Sequence, residues 1–349
     1  MRLFHISHTD LDGFSCHLLT KELFKSGVFL NANYGLEVKL SIKKVLELIS
    51  KLDKSEEILF LITDLNLTYQ ESKDLNKDIN RLKDEGFNIK LQLLDHHATG
   101  QKSADSYEWY YLDLNRCAAK ITYDYLTQEY GGFKDDDKWI KPLINSVNAI
   151  DIWLDEETFN FEFGKVLLSM ISRVREINNI LFADLNREFR LFLLKKAATY
   201  ITKKNANIQL DNDIHKLKKE FLNTTGVDDT IDNLSAKFLV HSLEGIKENL
   251  TVYYKGHKGI LTYTLGSISI PANAFLKANP DYDFFIDVGR KGNASFRADG
   301  KVDVSYIAQK LANGGGHVNA SGAKFEDFKE TIDYEQVKTY VQEKLKSIE

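Results

Sequence analysis

The first 150 residues alternate short apolar runs with amphipathic stretches of helical period. The runs "RLFHIS", "EILFLITD" and "NIKLQLLD" predict buried β-strands, because their apolar residues follow one another over the length of a strand. Between them, "FSCHLLTKELFKSG" and "QESKDLNKDINRLKDEG" predict helices that end at Gly27 and Gly86. This succession of strands and helices predicts a parallel sheet covered by helices, which is an α/β fold.

The pattern changes twice further along the chain. Residues 156–229 contain long helical patterns with little strand signal and predict a helical connector. From residue 230, strand patterns return in "AKFLVHSL", "LTVYYKG", "GILTYTLG", "YDFFIDVG" and "NASFRADG", and "VSYIAQKLA" predicts a helix. The second and third of these strands are expected to pair across a Gly/His turn. We therefore predict an N-terminal parallel-sheet domain over 1–155, the connector, and a smaller C-terminal α/β domain over 230–349.

Composition narrows the class of protein. With 349 residues, 43% hydrophobic and 28% charged, the chain fits a soluble globular protein. It has no run of about 18 apolar residues, the length that crosses a membrane, and its N-terminus turns polar too soon for a secretory signal. Cys16 and Cys117 are too few for a disulfide framework and are interpreted as core side chains, so we expect a cytoplasmic protein. The net charge of −5 argues against a broad basic track for long nucleic acid and favours a short or small phosphorylated substrate.

Acidic residues stand where the predicted strands end. Asp10 and Asp12 follow the first strand, Asp64 ends the second and Asp95 ends the third. The carboxyl ends of parallel strands form the ligand-binding edge of such a sheet, so we expect these acids to lie together. In "HTDLDG" the two carboxylates are also expected to share a face, because alternate side chains of an extended backbone do so. A turn or a calcium loop fits this motif too, but the residues after it lack the later oxygen ligands of an EF-hand.

Two histidines and a further acid extend this set. His96 and His97 directly follow Asp95, and Asp151 lies in the apolar "NAIDIW". Taken alone, Asp64 also fits a helix cap, and Asp151 fits either a hydrogen-bonded buried acid or a ligand. Together, carboxylates and imidazoles from separate strand ends match the ligands of two neighbouring divalent cations, which activate water and neutralise a phosphate. Oxygen and nitrogen ligands without thiolate favour Mn²⁺, with Mg²⁺ or Co²⁺ as alternatives, over structural zinc.

A glycine-rich segment, "NGGGHVNASG", predicts an anion site near the C-terminus. Gly315 and Gly316 lack side chains, so backbone N–H groups can approach a phosphate, and a helix beginning at His317 would add its positive end. Three glycines alone also fit a flexible turn after a helix. The histidine that follows them, together with Arg297 in a nearby strand, favours a phosphate or nucleotide clamp.

Four motifs in this order resemble those of the DHH phosphoesterase superfamily, which is named for an Asp-His-His triplet: "HTDLDG", "ITDLN", "LLDHHATG" and "NAIDIW". The segment "SFRADGKVDVSYIAQKLANGGGHVNASG" resembles the DHHA1 domain of one branch of that superfamily. The opening motif is most similar to that of bacterial short-oligonucleotide hydrolases of the oligoribonuclease B (nanoRNase) type. The resemblance implies a catalytic DHH domain over 1–155 and a substrate-binding DHHA1 domain over 230–349.

The resemblance also implies roles in a site with two Mn²⁺ ions. Asp10 would bind one ion, and Asp12 and Asp151 would bind the other. Asp64 would bridge both ions, and His96 would be a further ligand.

The remaining residues of the triplet and the second domain would act on the substrate. By the same resemblance, His97 would contact the scissile phosphate, and Asp95 would orient the imidazole beside it. The resemblance assigns the substrate clamp to Arg297, Gly315, Gly316 and His317.

One position departs from the family pattern. Many members place a metal-binding histidine four residues before the first Asp of the first motif, where this chain has Ile6. We expect His8, two residues before Asp10, to fill that coordination position. His5 is expected to pack within its strand.

These predictions combine into a metal-dependent phosphodiesterase that hydrolyses short RNA or DNA oligonucleotides, nanoRNA and dinucleotides among them, to mononucleotides. A clamp at a fixed distance from the metals would select short substrates. The alternatives are a phosphatase for 3′-phosphoadenosine 5′-phosphate (pAp), a cyclic- or linear-dinucleotide phosphodiesterase, a RecJ-like single-strand exonuclease, and an inactive nucleotide-binding scaffold. Pyrophosphatase and exopolyphosphatase are disfavoured, because those relatives carry a different C-terminal domain. No membrane partner is expected, and the oligomeric state, a homodimer included, stays open.

Overall fold

The computed structural model describes residues 1–134 and 136–349, which divide into two compact units. Unit 1 comprises Met1–Val174 and Arg187–Leu217. Unit 2 comprises Arg175–Asn186 and Lys218–Glu349. The predicted connector, residues 156–229, contributes to both units. In the described part of the chain, no helix combines the length and the apolar character needed to cross a lipid bilayer.

Unit 1 is a sheet surrounded by helices. Its strands are β1 (Arg2–Ser7), β2 (Gly27–Asn31), β3 (Glu57–Thr63), β4 (Asn88–Asp95) and β5 (Tyr110–Leu112). Its helices are α1 (Leu11–Leu23), α2 (Leu36–Ile49), α3 (Tyr69–Asp84), α4 (Gln101–Ala104), α5 (Ala118–Tyr130), α6 (Ile140–Asp151) and α7 (Thr158–Ser172). Two more helices, α8 (Ala183–Ala198) and α9 (Ala206–Leu222), contain residues of both units.

The sheet of unit 1 is parallel throughout, as the sequence predicts. Its strand order is β2-β1-β3-β4-β5. Strands such as β3 are buried on both faces, which explains why they appear in the sequence as unbroken apolar runs. The order reverses between β1 and β3, and a ligand crevice is expected at the carboxyl ends of the strands at such a point.

The first helix is shorter than predicted. It ends at Leu23 instead of continuing to Gly27, because Gly27 opens β2 and pairs with Leu3 of β1. A Cβ atom at Gly27 would lie 3.1 Å from the Leu3 carbonyl oxygen, so the glycine lets the two strands pack tightly. The predicted end of α3 is confirmed, since Gly86 follows it with a φ of 100°.

Unit 2 is a second α/β unit, as predicted. It contains α10 (Ile231–Glu244), β6 (Thr251–Tyr254), β7 (His257–Tyr263), α11 (Ser269–Ala278), β8 (Phe284–Val288), β9 (Asn293–Ala298), α12 (Val304–Ala312), β10 (Gly315–His317), β11 (Ala320–Lys324) and α13 (Tyr334–Lys346). The sheet order is β10-β11-β9-β8-β7-β6. The predicted hairpin between β6 and β7 is confirmed.

One strand prediction in this unit is wrong. The segment "AKFLVHSL" belongs to α10, whose N-cap Thr230 accepts a hydrogen bond from the Asn233 backbone N–H. The residues Ala236, Leu239 and Leu243 are buried at the spacing of one helix face. A short apolar run is compatible with either structure, and here the cap and the longer period determine a helix.

Candidate metal centre

The first motif lies in the turn between β1 and α1. Asp10 caps α1 by accepting a hydrogen bond of 3.0 Å from the Gly13 backbone N–H, and Asp12 is buried in the first turn. A Cβ atom at Gly13 would lie only 2.4 Å from the His8 carbonyl oxygen. The glycine of "HTDLDG" therefore lets the start of the helix pack against the backbone that carries His8.

Asp12 is held by a second helix. Its two carboxylate oxygens accept hydrogen bonds of 2.7 Å from the backbone N–H groups of Ala118 and Ala119, at the N-terminus of α5. The positive end of a helix stabilises a carboxylate there. These contacts fix the orientation of a carboxyl group that is 1% exposed.

Asp64, from the second motif, follows β3 and lies close to His96 of the third motif. Its φ is 56°, a left-handed conformation that Asp adopts more readily than most residues. The His96 Nε2 atom lies 3.4 Å from Asp64 Oδ1, 3.8 Å from Asp12 Oδ2 and 3.6 Å from Asp151 Oδ2. Neighbouring ligands of an ion bound at about 2.1 Å are roughly 3 to 3.5 Å apart. His96 Nε2 thus lies within 3.8 Å of one carboxylate oxygen from each of three acids, at separations close to those between ligands of one divalent cation.

A second group of ligand atoms lies on the other side of Asp64. The His8 Nδ1 atom is 2.8 Å from Asp10 Oδ2 and 3.7 Å from Asp64 Oδ2. Ligand atoms of these three residues all lie within 4.8 Å of one another. Asp64 thus directs Oδ1 towards the first group and Oδ2 towards the second, the arrangement that a carboxylate would need to bridge two cations.

Two buried carboxylate oxygens in this cluster lack hydrogen-bond partners among the described residues, which bears on whether cations fit there. Asp64 Oδ2 and Asp151 Oδ2 have no hydrogen-bond partner in the described part of the chain. An unpaired buried carboxylate is costly, and a divalent cation at each group would offset that cost. The donors, carboxylate oxygens with imidazole nitrogens, also suit such ions. The residues therefore fit two divalent cations.

The charges of the cluster act on one another. Burial raises the pKa of Asp12 and of Asp151, and burial with the nearby Asp10 charge raises the pKa of Asp64. For Asp10, burial acts in the same direction, but the hydrogen bond from His8 outweighs it and lowers the pKa to about 2. Burial lowers the pKa of His8, and its interactions with Asp10 and Asp64 outweigh this and raise it to about 10. The cluster therefore contains more carboxyl groups than the protonated imidazole of His8 can balance in charge. This excess of negative charge favours the binding of metal cations.

Asp151 is the last residue of α6. The backbone N–H of Leu154 donates to the Ala149 carbonyl, which closes the helix end, and Trp153 has a φ of 58°. The negative end of the helix disfavours a carboxylate at this place, and a bound cation would relieve that repulsion. The side chain of Cys117, which precedes α5, is fully buried, and its Sγ lies within 4.8 Å of ligand atoms of Asp12 and Asp151. The sequence predicts a core position for Cys117 but not its closeness to the two acids.

The Asp-His-His triplet forms a chain of hydrogen bonds. The His97 Nδ1 atom is 2.7 Å from Asp95 Oδ1, and the Tyr110 hydroxyl donates to Asp95 Oδ2 over 2.9 Å. Asp95 is fully buried, and its hydrogen bond raises the pKa of His97. The hydroxyl of Tyr34 lies 3.2 Å from His97 Nε2. Sequence reasoning missed both tyrosines.

Replacing Tyr110 with phenylalanine is expected to weaken this chain. A buried carboxylate oxygen would lose its donor, which costs about 1–3 kcal/mol of unfolding free energy. Hydrolysis should fall about 10- to 100-fold, because the support of a site residue is removed. Urea unfolding and initial rates measure the two effects. Tyr111→Phe, whose hydroxyl lies at an exposed position, is the control and should leave the rate unchanged.

In unit 2, three of the four predicted clamp residues share one face of the sheet, and Gly316 lies on the other. Arg297 of β9 is paired with Ala320 of β11, and Ala320 is paired with His317 of β10. Residues paired directly across antiparallel strands point to the same side. The next row on that face consists of Ser295, Gly322 and Gly315. Arg297 and His317 therefore border a patch of small residues. We call this patch, which consists of Ala320, Ser295, Gly322 and Gly315, the small-residue strip.

The two predicted glycines differ in what the fold requires of them. A Cβ atom at Gly316 would lie 2.5 Å from the Ala320 carbonyl oxygen, and its φ is 145°, so the fold needs glycine there. At Gly315 a Cβ atom would meet nothing within 4 Å. The prediction of a helix that begins at His317 is wrong, because that residue ends β10 and pairs with β11. Backbone groups of a strand, not a helix N-terminus, are available to an anion here.

Known proteins similar to this chain identify its family. No protein-family model matches the chain. A 3′,5′-cyclic-nucleotide phosphodiesterase of Helicobacter pylori is 43% identical over 344 residues, which cover 98% of each chain. Oligoribonuclease NrnB of Bacillus subtilis is 22% identical over 93% of this chain and 73% of its own length. The crystal structure of an uncharacterized protein from Helicobacter pylori G27 superposes with a TM-score of 0.93 at 42% identity and covers 99% of both chains.

The fold, the acid and histidine cluster and these relatives define a phosphoesterase. The chain belongs to the DHH/DHHA1 phosphoesterase superfamily, so the resemblance of the four motifs is confirmed. Within it, the chain is a phosphodiesterase.

Proposed function

We propose that the protein is a two-metal phosphodiesterase that hydrolyses 3′,5′-phosphodiester bonds of small nucleotide substrates, and in particular short oligonucleotides. The observation that carries this proposal is the carboxylate of Asp64, whose two oxygens face two separate groups of ligand atoms. When bound there, two divalent cations supply charge neutralisation for a phosphate and an activated water. We expect Mn²⁺, because the donors are oxygens and imidazole nitrogens.

Each group of residues has its own task. His8, Asp10 and Asp64 would hold one cation, and the second would be held by Asp12, Asp64, His96 and Asp151. His97 lies beside this cluster with an imidazole that Asp95 orients, and it would contact the scissile phosphate. The Asp95 hydrogen bond fixes the ring, so His97 need not be ordered when the substrate binds.

The small-residue strip would bind another phosphate or the sugar of the substrate. Arg297 supplies a fixed positive charge, and its Nη2 atom is already oriented by the Ser269 hydroxyl over 2.9 Å. Gly315 leaves space that a side chain would fill, so a ligand can approach the backbone of β10 closely. A substrate bound by such a compact surface needs no long basic track, which agrees with the net charge of −5.

A second candidate substrate is a 3′,5′-cyclic mononucleotide. It is favoured by the relative from Helicobacter pylori, which is 43% identical over almost the entire chain and is named for that activity. In this substrate, as in an oligonucleotide, the phosphorus is bonded to a 3′ and a 5′ oxygen. The same metals and His97 would therefore meet the same reacting group.

A substrate panel distinguishes the two candidates and the remaining alternatives. Initial rates with Mn²⁺ would be measured on end-labelled RNAs of two, five and twenty-four nucleotides, on pGpG, on pAp, and on 3′,5′-cyclic AMP and GMP. Faster loss of the shortest RNAs, absent in an Asp95→Ala/His96→Ala variant, supports the oligonucleotide proposal. Preference for the cyclic nucleotides transfers the assignment to the second candidate. Preference for pAp or for the longest RNA contradicts both candidate substrates. Metal binding without turnover of any substrate supports the inactive nucleotide-binding scaffold instead.

Replacing Gly315 with valine tests the small-residue strip. Valine suits a strand, and a Cβ atom at this position would meet nothing within 4 Å, so the fold and the metal centre should be unchanged. The apparent KM should rise about 10- to 100-fold, because a charge-assisted phosphate contact is worth roughly 1.5–3 kcal/mol. Arg297→Ala should act in the same direction, and Lys346→Ala, at an exposed position of α13, is the control for lost charge. Unchanged KM values in both test variants would contradict a substrate-binding role.

A further inference from the structure

Tyr34 lies at the metal centre in the turn between β2 and α2. Its hydroxyl is 3.2 Å from His97 Nε2, and its ring centroid is 5.2 Å from that of His8 and 5.9 Å from that of His97. The residue is 43% exposed, whereas the Asp12 and Asp64 carboxylates are buried. The phenol is therefore open to solvent directly beside the His97 imidazole that would contact the phosphate.

The turn that carries Tyr34 is fixed to the first motif. The Thr9 hydroxyl, between the two ligand candidates of "HTD", donates to Asn33 Oδ1 over 2.7 Å. The backbone N–H and the side-chain amide of Asn33 both donate to Glu37 Oε2 over 2.9 Å. Gly35, with a φ of 78°, then directs the chain into α2. Tyr34 thus has a defined position beside the cluster.

The hydrogen bonds of His97 determine what Tyr34 does there. Nδ1 faces the Asp95 carboxylate, which only accepts, so Nδ1 carries a proton. Nε2 is then the ring nitrogen left to face a substrate, and the Tyr34 hydroxyl lies 3.2 Å from it. Phosphate oxygens accept hydrogen bonds, and a phenol hydroxyl can donate one. A phosphate bound beside Nε2 therefore comes within reach of the Tyr34 hydroxyl.

We propose that Tyr34 is a catalytic residue, whose hydroxyl turns from His97 Nε2 to a non-bridging oxygen of the scissile phosphate and donates a hydrogen bond to the charge that develops in the transition state. No proton is transferred and no covalent bond is formed in this step. The proposal rests on the proposed phosphodiesterase function. It adds to the metal centre a neutral donor that is contributed by a turn outside the four motifs.

Tyr34→Phe is the test variant, because it keeps the ring and removes only the hydroxyl. We expect kcat to fall by about 10²- to 10³-fold, as when one donor to a transition-state charge is lost. KM should stay within about threefold, since the hydroxyl acts mainly in the transition state. Inhibition by orthovanadate, which imitates that state, should weaken together with kcat. Tyr111→Phe, which removes the hydroxyl of a comparably exposed tyrosine (44%), should change neither constant.

The substrate used is the best one of the nucleotide panel, and bis(p-nitrophenyl) phosphate serves as a diester without a base. Loss of kcat on both supports a contact with the phosphate itself. A kcat within about threefold of wild type in Tyr34→Phe would overturn the inference and leave the proposed function intact. If the wild-type protein with Mn²⁺ hydrolyses no diester, the proposed function fails, and the inference fails with it. Mn²⁺ should raise the melting temperature of Tyr34→Phe as much as that of the wild type. An equal rise excludes damage to the metal centre as the cause of a lower kcat.

Discussion

The Asp64→Asn variant is expected to lose hydrolytic activity by more than about 10³-fold. Single donors to a transition-state charge already contribute about 10²–10³, and Asp64 faces both groups of ligand atoms. Asparagine keeps the shape but has one oxygen and one amide nitrogen that donates, so it cannot bridge two cations. Initial rates at saturating Mn²⁺ measure the loss.

Unfolding does not account for this effect. Asparagine tolerates the left-handed φ of 56° at this position, and it removes a buried charge. The metal-free variant should therefore melt no lower than the metal-free wild type. Asp84→Asn, at the exposed end of α3, is the matched control and should be fully active. Activity of Asp64→Asn within about tenfold of wild type would be incompatible with a bridging role.

Metal binding is expected to stabilise the protein, and to do so more at alkaline pH. At a metal concentration about 100 times Kd, binding adds about 2.7 kcal/mol, or roughly 5–10 °C in Tm for a unit of this size. The ligands must lose their protons before they bind a cation. The rise in Tm with Mn²⁺ should therefore be larger at about pH 8.5 than at about pH 6.

The metal-free protein should show the opposite dependence. Burial and neighbouring acids raise the pKa of Asp12 and Asp151 from 3.8 to about 8 in the folded protein. The folded state thus binds these protons more tightly than the unfolded state, so the associated stability is present below about pH 4 and is lost as the pH rises through about 8. Thermal melts with EDTA and with Mn²⁺ at both pH values give the comparison. A metal-induced shift that is independent of pH, or that persists in Asp64→Asn, would contradict the assignment.

Much of the fold of unit 1 follows from local sequence pattern. Strands buried on both faces leave unbroken apolar runs, so β1, β3 and β4 are visible in the sequence. β2 was missed, because "GVFLN" is short and directly follows a helical pattern. In unit 2, an apolar run was assigned to a strand although Thr230 caps it as the helix α10.

The site is predictable where the sheet brings its parts together. Parallel strands end at one edge, so Asp10, Asp12, Asp64 and His96 could be grouped from strand ends alone. Packing of His5 within its strand is also confirmed, since it is fully buried between Thr20 and Thr63.

Contributions from outside the motifs could not be predicted. Tyr34 comes from the turn before α2, and Tyr110 comes from the edge strand β5. Neither tyrosine carries a sequence signal, because each acts only through a tertiary contact with the triplet. The sharing of one sheet face by Arg297 and His317 likewise depends on strand register, which the glycine-rich sequence does not specify.

Anomalous diffraction from crystals of the protein grown with Mn²⁺ tests the central claim most directly. Two peaks are expected, about 3.5–4 Å apart, with the Asp64 carboxylate between them. One should be bound by Asp10 and His8, and the other by Asp12, His96 and Asp151. A single peak, or two peaks that do not share Asp64, would contradict the two-metal account.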